Sequence, residues 1–171
     1  MLALLAASHV HAGDAPRIGV DGSSATIEHP LGWTLMPASS SPMFYLCDPS
    51  MEDGCLVRGE MHIRPTLADM KVESLSLYLD AAIHSHSQPV PVPRRRQIGR
   101  FDAVESFWIH EQSDVGHGKA GVKLLMETTE GFFSCSLMAE PKVIEQQIAS
   151  WRRFCASLDF VNSIAGERQH G

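Results

Sequence analysis

The chain has 171 residues and a formal net charge of −6 at pH 7, with 44% hydrophobic and 20% charged residues. This length suffices for one domain with a single core, and the composition is too apolar for a disordered chain. The acidic balance argues against nucleic acid as a partner, because its phosphates require a basic surface.

The first residues resemble the end of a secretory leader. Leu2 to Ala7 is an uninterrupted apolar run, and Val10-His11-Ala12 follows with the small-x-small pattern that signal peptidase reads. No Lys or Arg precedes the run, so the leader is incomplete, and an apolar N-terminus that merely frays is the alternative. We expect residues 1–12 to be the remnant of a leader and the protein to be exported to a bacterial periplasm.

The rest of the chain is expected to form one domain. Residues 13–24 are polar and turn-prone and predict a loose lead-in, residues 25–162 predict the domain, and residues 163–171 predict a polar tail. No segment after the leader approaches the roughly 18 consecutive apolar residues that a membrane span requires.

Three strands are predicted in the first half of the domain. Residues 25–36 place Leu31, Trp33 and Leu35 on one side, and residues 43–47 form a second apolar run. The third strand, residues 55–64, alternates most clearly. Its buried face is predicted to carry Cys55, Val57, Gly59, Met61 and Ile63.

A helix and a link follow the third strand. Thr66 is predicted as the N-cap, with Asp69 in the first turn, and the helix should end near His84. Its apolar stripe comprises Leu67, Met70, Leu75, Tyr78, Leu79 and Ala82. The Pro-rich segment beyond it, including Arg94, Arg95 and Arg96, is predicted to be a solvated loop.

The second half predicts three more strands and a closing helix. Residues 101–111 form a strand, a Gly-rich loop follows at 114–121, and residues 121–127 and 132–139 form a hairpin around Thr129-Glu130-Gly131. Pro141 suits the first position of the last helix. One face of that helix carries Ile144, Gln147, Ile148, Trp151, Cys155 and Leu158, and the helix should close at residues 157–160.

This order of elements predicts an α+β domain: an antiparallel sheet of about six strands with two main amphipathic helices packed on it as an α/β/α sandwich. The chain here resembles the PsbP-like/Mog-type family. The likeness rests on Pro30-Leu-Gly-Trp33, on the helix after the third strand, and on the closing pattern of strand, Pro141, helix and Ser157-Leu-Asp-Phe160. It covers Thr26 to Phe160.

The resemblance implies a binding protein. Members of this family include photosystem extrinsic subunits, a Ran-binding protein and bacterial periplasmic or secretion-associated proteins, most of them non-enzymatic binders. The cysteines depart from the general family pattern and point to an exported bacterial branch.

The four cysteines, Cys47, Cys55, Cys135 and Cys155, suggest disulfides in an exported chain, although four cysteines allow three pairings. Cys47 and Cys55 flank a turn-rich loop and could bridge two strands, whereas Cys135 and Cys155 can meet only if the last helix lies on the sheet. A zinc site is the alternative, but no C-x-x-C pair is present. We therefore predict Cys47–Cys55 and Cys135–Cys155.

No catalytic motif occurs in the sequence, which favours a protein that is not an enzyme and has no cofactor. His62, His84 and His86 are weak candidates for a metal site, because an H-x-H pair in an extended segment faces one way. Helix-terminal histidines, which the helix dipole favours, are the simpler interpretation of His84 and His86.

The candidate partner-binding residues lie in two charged segments. Asp48, Glu52 and Asp53 fall inside the predicted Cys47–Cys55 ring, and Arg94, Arg95 and Arg96 follow the Pro-rich link. Loops on a rigid scaffold are frequent recognition sites, although a solvated turn is the simpler interpretation of the acidic segment. The sequence thus predicts a periplasmic protein that binds another protein, for example an immunity or accessory protein of a bacterial secretion system. The alternative is a periplasmic small-ligand or metal-binding protein.

Overall fold

The computed structural model describes residues 16–36, 41–47, 57–66, 72–85, 91–110 and 119–161. In chain order, the described elements are β1 Arg17–Gly19, β2 Ala25–Glu28, β3 Thr34–Leu35, β4 Met43–Cys47, β5 Val57–Pro65, α1 Leu75–Ser85, β6 Arg94–Ile98, β7 Phe101–His110, β8 Lys119–Thr128, β9 Gly131–Ala139, α2 Pro141–Ala156 and β10 Asp159–Phe160. Among these residues, no helix is both long and apolar enough to cross a membrane.

The described strands form two antiparallel sheets. The larger sheet has seven strands in the order β3-β4-β5-β9-β8-β7-β6, and the smaller has three in the order β1-β2-β10. Two helices pack on the larger sheet from opposite sides, so the α+β class and the sandwich predicted from the sequence are confirmed.

One side of the large sheet, which we call the α2 face, carries the main core. Cys135 on β9 is bonded to Cys155 on α2 with a Cα–Cα distance of 6.1 Å, and this confirms the second predicted disulfide. The register places Ile63 and Leu124 beside Cys135 on this face. The small sheet lies on the same face, since the Phe160 ring meets the Phe133 ring edge-on at 5.7 Å.

The opposite side of the large sheet, which we call the α1 face, is covered by α1 at one end. Leu75 at the start of α1 packs in a buried cluster with Val104 on β7 and Leu125 on β8. Partly buried Tyr78 and Phe132 extend this contact. The remainder of the α1 face carries mostly polar side chains.

The small sheet corrects two predictions. Residues 17–19, expected within a loose lead-in, form β1, and residues 159–160, expected to close the last helix, form β10. Both strands pair with β2, which buries Ala25 and Ile27. The pairing of β10 with β2 joins the two ends of the domain and leaves no local pattern in the sequence.

The single strand predicted over residues 25–36 is also wrong. A turn separates β2 from β3, with Gly32 at a φ of +79°. Leu31 in this turn is 97% exposed, whereas Trp33 is buried against Gly59. The alternation of apolar residues thus continued by chance through a turn that Pro30 and Gly32 favour.

Helix α1 begins later than predicted. Ser74 caps it, because the Ser74 hydroxyl accepts the Leu77 amide at 3.2 Å and the Ser74 carbonyl accepts the Tyr78 amide. Thr66, the predicted N-cap, instead donates its hydroxyl and its amide to the Phe132 carbonyl and so extends the pairing of β5 with β9. Residues 67–71, which include part of the predicted stripe, lie outside the described residues.

Several other predictions are confirmed. In β5, Gly59, Met61 and Ile63 of the predicted buried face are buried and their neighbours are not. Val57, predicted on that face, is exposed at the start of the strand, and Cys55 lies outside the described residues. Strands β8 and β9 form a hairpin with a tight turn at residues 129–130, and Gly131 has a φ of +105°. Pro141 opens α2. The prediction of a solvated loop is wrong for one segment. Strand β6 begins there, with Arg94, Arg95 and Arg96.

Candidate functional site

Strand β6 is an edge of the large sheet. Among the strands that the structure describes, it pairs with β7 alone, and its first four residues are exposed. Pairing through Ile98 and Phe101 leaves a tight two-residue turn in which Gly99 has a φ of +57°. This turn closes a hairpin whose outer strand would not be recognised from hydrophobic alternation, because an edge strand can leave both faces in water.

The main chain of β6 presents free hydrogen-bonding groups at this edge. In an antiparallel pair, residues alternate between those bonded to the partner and those whose amide and carbonyl point away. Ile98 closes the two-residue turn and is a bonded position, so Arg94 and Arg96 also bond to β7. Arg95 and Gln97 therefore point their main-chain groups outward. No other described residue bonds to those groups.

The side chains of β6 make this edge basic. Arg96 pairs with Glu105 at 3.2 Å, and the same carboxylate takes two hydrogen bonds from Arg152 on α2 at 2.8 Å. Arg95 contacts the Ser76 hydroxyl on α1. Neither Arg95 nor Arg94 has a carboxylate partner among the described residues.

A second surface lies on the α1 face. The register aligns His62 on β5, Ser136 on β9, Lys123 on β8 and Ser106 on β7 side by side across four neighbouring strands. We call these four residues the polar row. All four are partly buried, and His62 Nδ1 lies 3.0 Å from Ser136 Oγ in a hydrogen bond.

Positive charge accumulates around the polar row. Burial lowers the pKa of His62, and the nearby Arg64 and Lys123 lower it further. Burial likewise lowers the pKa of Lys123, with a second contribution from Arg64. Lys123 and Arg64 have no ion-pair partner among the described residues. Perturbed groups of this kind are concentrated at functional sites, although ion-pair networks also produce them.

Apolar groups flank the polar row on both sides. On one side, the Trp108 ring lies over Gly121, so closely that a Cβ added to Gly121 would come within 2.1 Å of it. On the other side lie Leu125 and Val104, which are covered by α1. The row therefore runs along a strip of the sheet between an aromatic ring and a helix.

The structure separates the predicted site residues. His62 lies in the polar row, and its cationic neighbours would repel a metal ion. His84 is at the end of α1, where its Nδ1 donates to the Asp80 carbonyl at 2.6 Å, and the structure places it on a different element from His62. His86 lies outside the described residues, among which no group of three metal-ligating side chains occurs.

Most of the predicted acidic binding loop lies outside the described residues. Cys47 is disulfide-bonded, and its predicted partner Cys55 lies outside the described residues, as do Asp48, Glu52 and Asp53. The acidic half of the predicted binding surface therefore stays a prediction, whereas the basic half, Arg94 to Arg96, is located on β6.

A cleft of about 550 Å³ lies elsewhere, between the turns of the two hairpins and β10. Two of its charged residues are paired with each other, because Arg100 contacts Asp159 at 2.5 Å, and Arg100 also stacks over the Phe101 ring at 5.2 Å. The Arg100 side chain lowers the pKa of Asp159 by donating a hydrogen bond to it. This cleft offers fewer unpaired groups than the polar row or β6.

Sequence reasoning missed Ser136 and Lys123. Both alternate with buried residues on strands that were correctly predicted, so their exposure to the second face could have been inferred. Their proximity to His62 could not, because it depends on β9 lying between β5 and β8 in the sheet. Sheet order and register are not encoded in local periodicity.

Comparisons with known proteins indicate the fold alone. A Bacteroides thetaiotaomicron structure is similar with a TM-score of 0.60 and 15% identity over 88% of this chain. This chain spans only 50% of the length of that protein. The Saccharomyces cerevisiae Ran-binding protein Mog1p is similar with a TM-score of 0.47 and 10% identity, over 86% of this chain and 96% of Mog1p.

Membership of the Mog-type family stays a prediction. The exported bacterial branch of that family stays a prediction. No protein-family model and no curated protein sequence matches the chain.

Proposed function

We propose that this is an exported bacterial binding protein, without catalytic activity of its own, that holds an extended acidic segment of a protein partner along β6. The observation that carries the proposal is the open edge of β6. Arg95 and Gln97 direct their main-chain groups outward without a partner among the described residues, and exposed arginines flank those groups.

Strand addition satisfies both features of this edge. An incoming strand supplies carbonyl and amide partners to Arg95 and Gln97, and its acidic side chains lie opposite the arginines. Charged pairs directly across two strands stabilise the pairing by about 0.2–1 kcal/mol each. The main chain then contributes affinity, and the arginines contribute the choice of partner.

The same arginines disfavour unwanted pairing. An unprotected edge strand can pair with the edge of another copy, and charged side chains are a common protection against this. Two copies of β6 would bring Arg94, Arg95 and Arg96 against like charges. An acidic strand is therefore accepted, whereas a second copy is repelled.

Export and a role in secretion form the finer part of the proposal. The leader-like N-terminus supports export, and so does the Cys135–Cys155 disulfide, because such bonds persist in oxidising compartments. An immunity or accessory protein of a secretion system is one concrete form of the role. Locating the protein by fractionation of cells that express the full gene would test export separately from binding.

Peptide binding tests the proposal directly. Two peptides of about nine residues are compared, one alternating Val or Thr with Glu, the other carrying Lys in place of Glu. We expect the acidic peptide to bind and the basic peptide not to bind. In Gln97→Pro, the acidic peptide should bind about tenfold more weakly or worse, because an outward amide is lost and the ring obstructs pairing.

The control variant is Gln97→Ala, which keeps the outward amide and should bind like the unaltered protein. Equal binding of the acidic peptide to Gln97→Pro and Gln97→Ala would show that its carboxylates are attracted to the arginines without strand addition. Equal binding of the acidic and basic peptides would contradict the proposal altogether.

A further inference from the structure

The polar row differs from an ordinary solvated strand face because its cations lack counterions. Lys123 and Arg64 are close enough to each other and to His62 for their charges to affect its protonation, and neither is paired among the described residues. Glu60 is on the same face two residues from His62, and it forms no ion pair with any of them. Clustering cations in this way costs free energy unless an anion joins them.

The hydroxyl and the imidazole leave a donor for such an anion in either tautomer. If His62 Nδ1 carries the proton, it donates to Ser136 Oγ, and the Ser136 hydroxyl hydrogen is free for a ligand. If Nδ1 accepts the Ser136 hydroxyl, the proton is on Nε2, which then donates outward. The pair thus adds a neutral donor to the charges of Lys123 and Arg64.

We propose that the polar row, together with Arg64, is a binding site for a small oxyanion, a carboxylate or phosphate group, held over Ser136 between Lys123 and His62. The sheet spacing supports this size. Lys123 and His62 are on the strands either side of β9, so their backbones are about 10 Å apart, which leaves room for one such group between their side chains. Charge-assisted hydrogen bonds would hold it.

The flanking residues indicate what the anion is attached to. The partly buried Trp108 ring lies on one side of the row. It covers Gly121, which is two residues before Lys123 on β8. An aromatic face beside a cationic pocket suits an organic acid or phosphate with an apolar body. This site is separate from the β6 edge. It gives the predicted small-ligand role a location, but it would bind an anion, whereas a metal site binds a cation.

NMR titration of the intact protein tests the site. Inorganic phosphate and acetate are added separately at pH 7, with ionic strength held at about 0.15 M by sodium chloride. We expect saturable shifts of the His62 ring and Ser136 signals with at least one of the two anions. The pKa of His62 should rise when the anion is bound, because a nearby negative charge favours the imidazolium. The anion with the lower dissociation constant identifies the preferred chemistry.

Variants separate a built site from general attraction. Lys123→Gln and Arg64→Gln should each weaken binding about tenfold or more, and Arg153→Gln, which removes an exposed arginine from α2, should not change it. Arg64 is exposed, so its variant remains informative if Lys123→Gln folds poorly. Absence of saturable shifts with both anions would overturn the proposal, as would equal weakening in all three variants.

Discussion

At the scale of single residues, Lys123 carries a charge that its surroundings disfavour. Burial and Arg64 both lower its pKa, and no described carboxylate compensates. Polar groups retained under such conditions commonly serve binding at a cost in stability. A lysine with a purely structural role would instead be expected to stabilise the folded protein through its contacts.

Replacing Lys123 with Met should therefore stabilise the protein. We expect the free energy of unfolding at pH 7, in buffer without phosphate or carboxylate, to rise by up to about 1 kcal/mol. Urea denaturation measures it. The gain should shrink as the pH rises toward the ordinary pKa of lysine, because Lys123 loses its proton at lower pH in the folded protein than in the unfolded chain. A loss of stability at pH 7 would mean that Lys123 makes a stabilising contact.

His62 should make stability sensitive to acid. Its folded pKa lies below the ordinary value, so between the two values the unfolded chain binds more protons than the folded protein. Stability contributed by the neutral imidazole is complete above about pH 6.5 and is lost as the pH falls through the folded pKa. His62 faces Arg64, Lys123, Ser136 and Glu60, and the two cations oppose its protonation.

His62→Gln removes this titration. Thermal unfolding between pH 4 and 8 should show a shallower acid decline than in the unaltered protein, with the two curves running parallel above pH 7. His84→Gln is a suitable comparison, because that side chain is exposed at the end of α1. Identical acid declines in His62→Gln and the unaltered protein would show that His62 is protonated equally in both states.

At the scale of elements, the sequence predicted best where structure is determined locally. The alternation in β5, the turn before Gly131 and the proline that opens α2 each depend on neighbouring residues. Strand β6 was not predicted because its arginines are exposed on both faces. Its strand conformation depends on the turn at Gly99 and on pairing with β7. Strand β10 was missed because its partner, β2, is remote from it in sequence, and β1 was missed because it has only three residues.

The Cys135–Cys155 disulfide joins two elements that are separate in sequence. It connects β9 to α2 across a sequence separation of 20 residues, and both cysteines are buried. Replacing both by Ala should lower the free energy of unfolding by about 3 kcal/mol through the unfolded chain's regained freedom, with a further cost for the lost buried atoms. Urea denaturation under non-reducing conditions is the measurement. A loss below about 1 kcal/mol would indicate that α2 is held by its apolar contacts alone.

At the scale of the whole molecule, charge is unevenly distributed. The net charge is −6, yet β6 and the polar row are basic. Salt limits the repulsion that the distant acidic residues exert on an acidic partner, because the screening length is about 8 Å at physiological ionic strength. Binding at β6 should therefore depend on the local arginines and weaken as salt increases.

The two proposed surfaces also share one scaffold. Strand β7 pairs with β6 on one side and supplies Ser106 to the polar row from its α1 face. Arg95 is on that same face and contacts α1. The rigid seven-stranded sheet thus positions both surfaces, while their tests use different residues and different probes.

Amide hydrogen exchange along β6 tests strand addition most directly. Saturation with the acidic peptide should slow exchange of the Arg95 and Gln97 amides, which point away from β7, and leave the Arg96 and Ile98 amides, already bonded to β7, nearly unchanged. This alternating pattern is specific to a strand paired at the outer edge. Unchanged exchange at Arg95 and Gln97 in the peptide-bound protein would contradict the account, whatever the affinity of the peptide.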